Sequence, residues 1–177
     1  MSPIYAITKL ATLIMVVDND ADQEELDILN KLPQRMSAHI EGRSGVTFSI
    51  TISIGGSSGS SSRSYDDMNE ESEHVISPEE IAEVANQTIQ DYNDTEEEDL
   101  DDWIKSITDS IEDEDLRFQT LRMLCDMTAA DGEIAEEEID ILQDVATYWD
   151  LQEDLSDFLF MKTKEEWVWE GNTIVNA

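Results

Sequence analysis

Met127-Thr128-Ala129-Ala130-Asp131-Gly132-Glu133-Ile134-Ala135-Glu136-Glu137-Glu138-Ile139-Asp140-Ile141-Leu142 joins two helical patterns through a carboxylate-rich turn. The apolar stripe before it holds Phe118, Leu121, Leu124 and Cys125. The stripe after it holds Ile139, Leu142, Val145, Ala146 and Trp149, at the three- and four-residue steps of a helix with one buried side. The same acidic motif occurs a second time. Asp18-Asn19-Asp20-Ala21-Asp22-Gln23-Glu24-Glu25-Leu26-Asp27-Ile28-Leu29 aligns without gaps on Asp131 to Leu142. Two such turns in a small chain suggest paired halves whose acids gather at one place.

Outward from the turns, Ile4, Ile7, Leu10, Ala11, Ile14 and Val17 predict a first helix from about Pro3 to Val17. Asp22 with Glu25 reads as a capping box for a second helix, which ends before Pro33. The next stretch changes period. Val46, Phe48, Ile50, Ile52 and Ile54 alternate with Thr47, Ser49, Thr51 and Ser53, as a half-buried strand does, and a flexible Gly/Ser tract follows from Gly55 to Ser64. Helices resume at Ser77-Pro78-Glu79-Glu80, with the stripe Ile81, Val84, Ala85 and Thr88. Thr95 and Glu98 are expected to cap a helix carrying Leu100, Trp103, Ile104, Ile107 and Ile111. Helices over Leu116 to Met127, after the Asp131 turn, and over Glu153 to Met161 bring the expected total to seven. In the tail, Trp167-Val168-Trp169 and Thr173-Ile174-Val175 flank Glu170-Gly171-Asn172 and read as short strands. The strand at Val46 needs a partner for its backbone groups. A small sheet with the tail, or pairing with another chain, would supply one.

Composition narrows the function classes. The 177 residues can bury a core, and 43 acidic against 10 basic side chains give a formal net charge of -33. Phosphate-backbone binding needs clustered Lys and Arg, so direct nucleic-acid binding is excluded, and an anionic membrane is an unfavourable partner. Apolar residues make up 40% of the chain at helical spacing, which favours a folded protein over a disordered one. A halophilic surface would look similar. Self-repulsion on this scale implies that salt or divalent cations aid folding. The longest apolar run, Leu10 to Val17, is too short to cross a bilayer, and the reading is a soluble, cytoplasmic protein. Cys125 is alone, so no internal disulfide forms, and it falls on an apolar stripe. His39 and His74 are isolated and form no zinc cluster. Trp167 and Trp169 are expected to pack the tail on the bundle, with ligand stacking as the alternative.

The Ala-Asp-Gly-Glu turn followed by a Glu-rich helix start closely resembles the signature of TerB-like proteins, the family named for tellurite resistance. The match of pattern is strong from Leu121 to Leu142 and weaker from Leu10 to Leu29. The resemblance implies a mainly α fold: a seven-helix bundle whose halves are related by an internal repeat, here with a small β insertion. It also implies divalent cation binding and stress or phage-defence complexes, without an established catalytic activity. The chain departs from the pattern in separating its turns by 113 residues, so residues 34–76 read as an insertion within a single domain spanning 1–177. Ala135 stands where a capping Ser or Asp is expected, and Asn19 replaces the turn glycine in the first copy.

Hard cations such as Ca²⁺ and Mg²⁺ take several carboxylate or carbonyl oxygens. The candidate ligands are Asp18, Asp20, Asp22, Glu25, Asp131, Glu133 and Glu138. No single EF-hand fits, because Gln23 replaces its turn glycine and Leu29 its bidentate Glu. A site shared between the two turns is the alternative. Against it stands plain helix capping, since acids at helix starts complement the macrodipole without any metal. The expected partners are proteins, basic ones included, and the oligomeric state stays open. The run Asp94 to Asp102, seven acids in nine residues, reads as a solvated linker and capped helix start. Its rival reading is a phage-type mimic of the DNA backbone that inhibits a DNA-binding protein. A structural subunit assembling through the β insertion is a third. No phosphate loop, nucleophile elbow or triad spacing is present, so the expectation is not an enzyme.

Overall fold

The computed structural model describes residues 1–17, 77–130 and 132–177. These residues form α1 (Pro3–Val17), α2 (Pro78–Asp94), α3 (Glu97–Thr108), α4 (Glu114–Thr128), α5 (Glu136–Trp149) and α6 (Gln152–Thr163), then β1 (Trp167–Glu170) and β2 (Thr173–Asn176). The fold is mainly α. Six helices stand among the described residues rather than seven, because the expected helix through Leu26 and Leu29 lies outside them. So do the Val46 strand, the Gly/Ser tract, His39 and His74.

α1 is the centre of the bundle. Its sequence suggests one apolar stripe, yet Ala6, Thr8, Thr12, Leu13 and Met15 are buried along with Ile7, Leu10, Ala11 and Ile14. A helix apolar on every side has to be enclosed, and α1 packs on α2, α3, α4 and α5. Two buried threonines are compatible with this position because each satisfies its own hydroxyl. Thr8 Oγ1 donates to the Ile4 carbonyl and Thr12 Oγ1 to the Thr8 carbonyl, both at 2.8 Å. Thr88, Thr120 and Thr128 are buried and do the same on α2 and α4. These hydroxyls thus enter the core already paired.

The helix ends follow from local chemistry. Ser77 Oγ accepts from the Glu80 amide at 3.2 Å, and Glu80 Oε2 accepts from the Ser77 amide at 2.8 Å, the capping box expected for α2. Asp113 caps α4 by accepting from the Leu116 amide at 2.8 Å. The expected Thr95 cap of α3 is not formed. Thr95 Oγ1 donates instead to the Asp91 carbonyl at 2.6 Å, closing α2, and Glu96 takes the N-cap position without a side-chain bond. A hydroxyl so close to the orphan carbonyls of a preceding helix is drawn to them first.

The tail forms a hairpin on the bundle. β1 and β2 pair antiparallel, with Trp169 opposite Ile174 and Glu170 opposite Thr173. Gly171 has φ of 68°, which suits the first central position of a two-residue turn that only glycine enters without strain. Both indoles are anchored, Trp169 Nε1 on the Gln152 carbonyl at 2.8 Å and Trp167 Nε1 on Thr163 Oγ1 at 3.0 Å. Gln143 Oε1 on α5 accepts from the outward Ile174 amide at 2.9 Å, closing the β2 edge. The tryptophans therefore pack the tail onto the bundle, as expected. Cys125 is fully buried, and burial pushes its thiol well above the ordinary range, so it acts as a core side chain.

Truncating Leu10 to Ala opens a cavity at the centre of the bundle. The expected cost is about 3 kcal/mol, within the range for buried leucines. Urea denaturation of Leu10→Ala against the parent checks it, and a loss below about 1 kcal/mol would show that the site is not enclosed.

Candidate functional site

The second acid turn begins where α4 runs out. Thr128 is buried, and its hydroxyl back-bonds to the Leu124 carbonyl at 2.8 Å. The Ala129, Ala130 and Gly132 amides then bond to the Cys125, Met127 and Ala129 carbonyls, which tightens the chain as it leaves the helix. Gly132 has φ of 89°, a backbone conformation that strains any residue with a Cβ. The glycine of the motif is there for its backbone. Ala135 is the N-cap of α5, with extended φ and ψ of -72° and 149°.

At that N-cap, Glu138 Oε2 accepts from the Ala135 amide at 2.9 Å, and Glu138 is 3% exposed. Alanine has no side-chain acceptor to return the bond to the Glu138 amide. Only half of a capping box exists. The start of α5 rests on this one carboxylate and on the favourable placement of Glu136, Glu137 and Glu138 at the positive end of the helix dipole. Of the proposed cation ligands, Glu138 thus caps a helix, while Glu133 is exposed on the rim of the turn. Asp18, Asp20, Asp22, Glu25 and Asp131 lie outside the described residues. Among the described residues, no group of three or more His, Cys, Asp or Glu is placed to hold a metal ion.

The turn forms one wall of a cleft of about 530 Å³. Gly132, Glu133 and Ile134 face Lys162 at the end of α6 and Trp167 and Asn176 of the hairpin. The far wall is fixed by its own contacts. Lys162 Nζ lies 2.5 Å from Asp126 Oδ1, tying α6 to α4, and Asn176 Nδ2 donates to Glu165 Oε2 at 2.5 Å. The sequence shows both the hairpin residues and the acid turn. What it hides is that the tail comes back to close the turn on its other side.

A second acidic contact, not foreseen from the sequence, joins α3 to α5. The Tyr148 hydroxyl donates to the Asp101 carboxylate, and Trp149 Nε1 donates to the Thr108 carbonyl at 3.2 Å. Burial, then the charges of Asp101 and Asp140, push the Asp144 carboxyl up to about 6. Burial and the bond to Asp101 likewise push the Tyr148 phenol up. Glu96, Glu97, Glu98 and Asp99, from the acid run, are exposed at the start of α3, whereas Leu100 and Trp103 of the same stretch pack on the core. The helix start is solvated, as read from the sequence, but it lacks the side-chain cap expected there.

The model of the tellurite resistance protein TerB family matches residues 67–158, just over half of the chain. The chain belongs to the TerB family. The TerB match holds α2 to α5, the acid turn between α4 and α5, and the first half of α6. α1 and the hairpin fall outside it. No curated protein and no solved structure matches the chain.

Two substitutions test the electrostatics of this TerB site. Ala135→Ser supplies the missing half of the box and is expected to stabilise the protein by about 1 kcal/mol in urea denaturation. No gain would mean that the α5 start is already satisfied. Asp144 binds its proton more tightly folded than unfolded, so its contribution is full below about pH 4 and is lost as pH rises through about 6. The side chain is only partly buried, so solvent screens part of this effect. Asp144→Asn is then expected to raise stability by about 1 kcal/mol at pH 7 and by little at pH 4. Equal effects at both pH values would contradict the raised carboxyl.

Proposed function

We propose that this TerB protein is an acidic, non-enzymatic interaction module that binds a divalent cation and serves in a stress-response or defence-associated complex in the cytoplasm. The observation that carries the reading is the Gly132–Ala135 turn on the rim of a cleft closed by the C-terminal hairpin, inside the segment that matches the TerB family. In this reading the segment through Leu26 and Leu29 supplies the seventh helix of a repeated bundle. Asp18, Asp20, Asp22 and Glu25 then join Asp131 and Glu133 around a Ca²⁺ or Mg²⁺ ion. Glu138 has one oxygen on the Ala135 amide, so it acts as an orienting cap as well as a candidate ligand. An oxygen-rich, strongly negative surrounding is what such hard cations take. The inert, buried Cys125 and the absence of a nucleophile motif fit a binding role.

No helix among the described residues is long and apolar enough to cross a membrane. Partners are proteins, selected by charge: a surface this acidic repels nucleic acid and favours basic surfaces.

A cation at a hundred times its dissociation constant adds about 2.7 kcal/mol of stability. Millimolar Ca²⁺ or Mg²⁺ is therefore expected to raise Tm by about 5–10 °C beyond NaCl of matched ionic strength. Asp18→Asn with Asp131→Asn should remove that increment. If the double variant keeps the full divalent effect, the assigned turns do not bind the ion.

A further inference from the structure

We infer that the outward face of α6 is a docking surface for a basic, amphipathic helical segment of a partner protein. The assignment rests on the reading of the chain as an interaction module and gives that module a specific surface. Glu153, Asp157, Phe160 and Lys164 follow one another at helical spacing and are all exposed, with Met161 beside them. Phe160 is 52% exposed and Met161 50%, the two large apolar side chains that α6 leaves in water. The buried side of the same helix is already used. Leu155, Phe158 and Leu159 are in the core, and Phe158 meets Phe118 edge-on at 5.2 Å. Phe160 and Met161 are thus surplus to the packing of this helix on the bundle.

The charges around them select the occupant. Both lysines near this end of α6 are engaged locally. Lys162 pairs with Asp126, and Lys164 Nζ donates to the Met161 carbonyl at 2.8 Å, where a cation suits the negative end of the helix. Glu153 and Asp157 lie on the face itself, and Glu165 and Glu166, which follow α6 in the chain, are exposed. An apolar pair within a negative field matches a helix with apolar residues on one side and Lys or Arg on its flanks. A second copy of this chain brings another net charge of -33. The chain's own residues 18–76 offer Lys31, Arg35, Arg43 and Arg63 against twelve Asp and Glu, which is also poor complementarity.

The test uses the full chain and two labelled peptides of about 18 residues, five turns of helix. One places Leu at helical spacing with Lys elsewhere, and the other shuffles the same composition. Fluorescence anisotropy is read in EDTA at about 150 mM NaCl, where long-range charge attraction is screened. The amphipathic peptide is expected to bind at least about tenfold more tightly than the shuffled one. Phe160→Ser with Met161→Ser should erase that difference, because buried anchors carry most of such an interface. A control with Glu96→Gln, Glu97→Gln and Glu98→Gln should preserve it. Equal affinity for the two peptides in the parent, or failure of the amphipathic peptide to bind, overturns the proposal. So does an unchanged preference in the Phe160 and Met161 variant. A drop of several degrees in that variant's Tm would place the two side chains against this chain's own residues. A shift from dimer to monomer by sedimentation would place them against a second copy. Because divalent ions are absent, these outcomes are independent of the cation site.

Discussion

The enclosure of α1 is the constraint from which the arrangement of the other helices follows. A fifteen-residue helix with one charged side chain, Lys9, cannot keep a wet face, so α2, α3, α4 and α5 are drawn around it. Each contributes the apolar stripe that its own periodicity provides, such as Ile81, Ala85 and Thr88 on α2 or Leu142, Val145 and Ala146 on α5. The remaining two elements add a second layer. α6 packs on α4 and α5, and the hairpin is pinned to both ends of α6 by its two tryptophans.

A chain with so many carboxylates can fold because, among the described residues, nearly all are kept off this core. Among the described residues, the buried polar side chains are threonines whose hydroxyls bond within their own helices, plus Glu138. Glu138 is bearable there because its oxygen satisfies the Ala135 amide at a helix start, where the dipole favours negative charge. Asp144 shows the opposite accommodation: crowded by Asp101 and Asp140, it holds its proton to higher pH. Capping and proton uptake relieve local repulsion without any ion. The cation proposed at the turns would act on the larger field that these local devices leave.

Much of this was legible in the residues. The Ser77 box, the Asp131 turn and the Glu-Gly-Asn hairpin were readable because each depends on a few residue types at fixed spacing. Ser77 with Glu80 closes a reciprocal bond, and Gly132 and Gly171 take backbone angles that other residues resist. The family match also centres on the turn-bearing half and omits α1, although α1 is the most enclosed element. Core helices accept many apolar combinations of the right volume, whereas such turns do not. What stayed hidden depends on the third dimension. Nothing local says that Ala6, Leu13 and Met15 are also covered, that Tyr148 reaches Asp101 across α3 and α5, or that Lys162 and Trp167 close a cleft over Gly132. Thr95 was misplaced by a single competing carbonyl, that of Asp91.

The central role of α1 is tested most directly by native-state hydrogen exchange followed by mass spectrometry. Amides of Leu10 to Met15 should exchange last, with an opening free energy equal to that of global unfolding in urea. Exchange of α1 before α4 and α5 would show that the bundle holds together without it, and the account of the core built around that helix would be wrong.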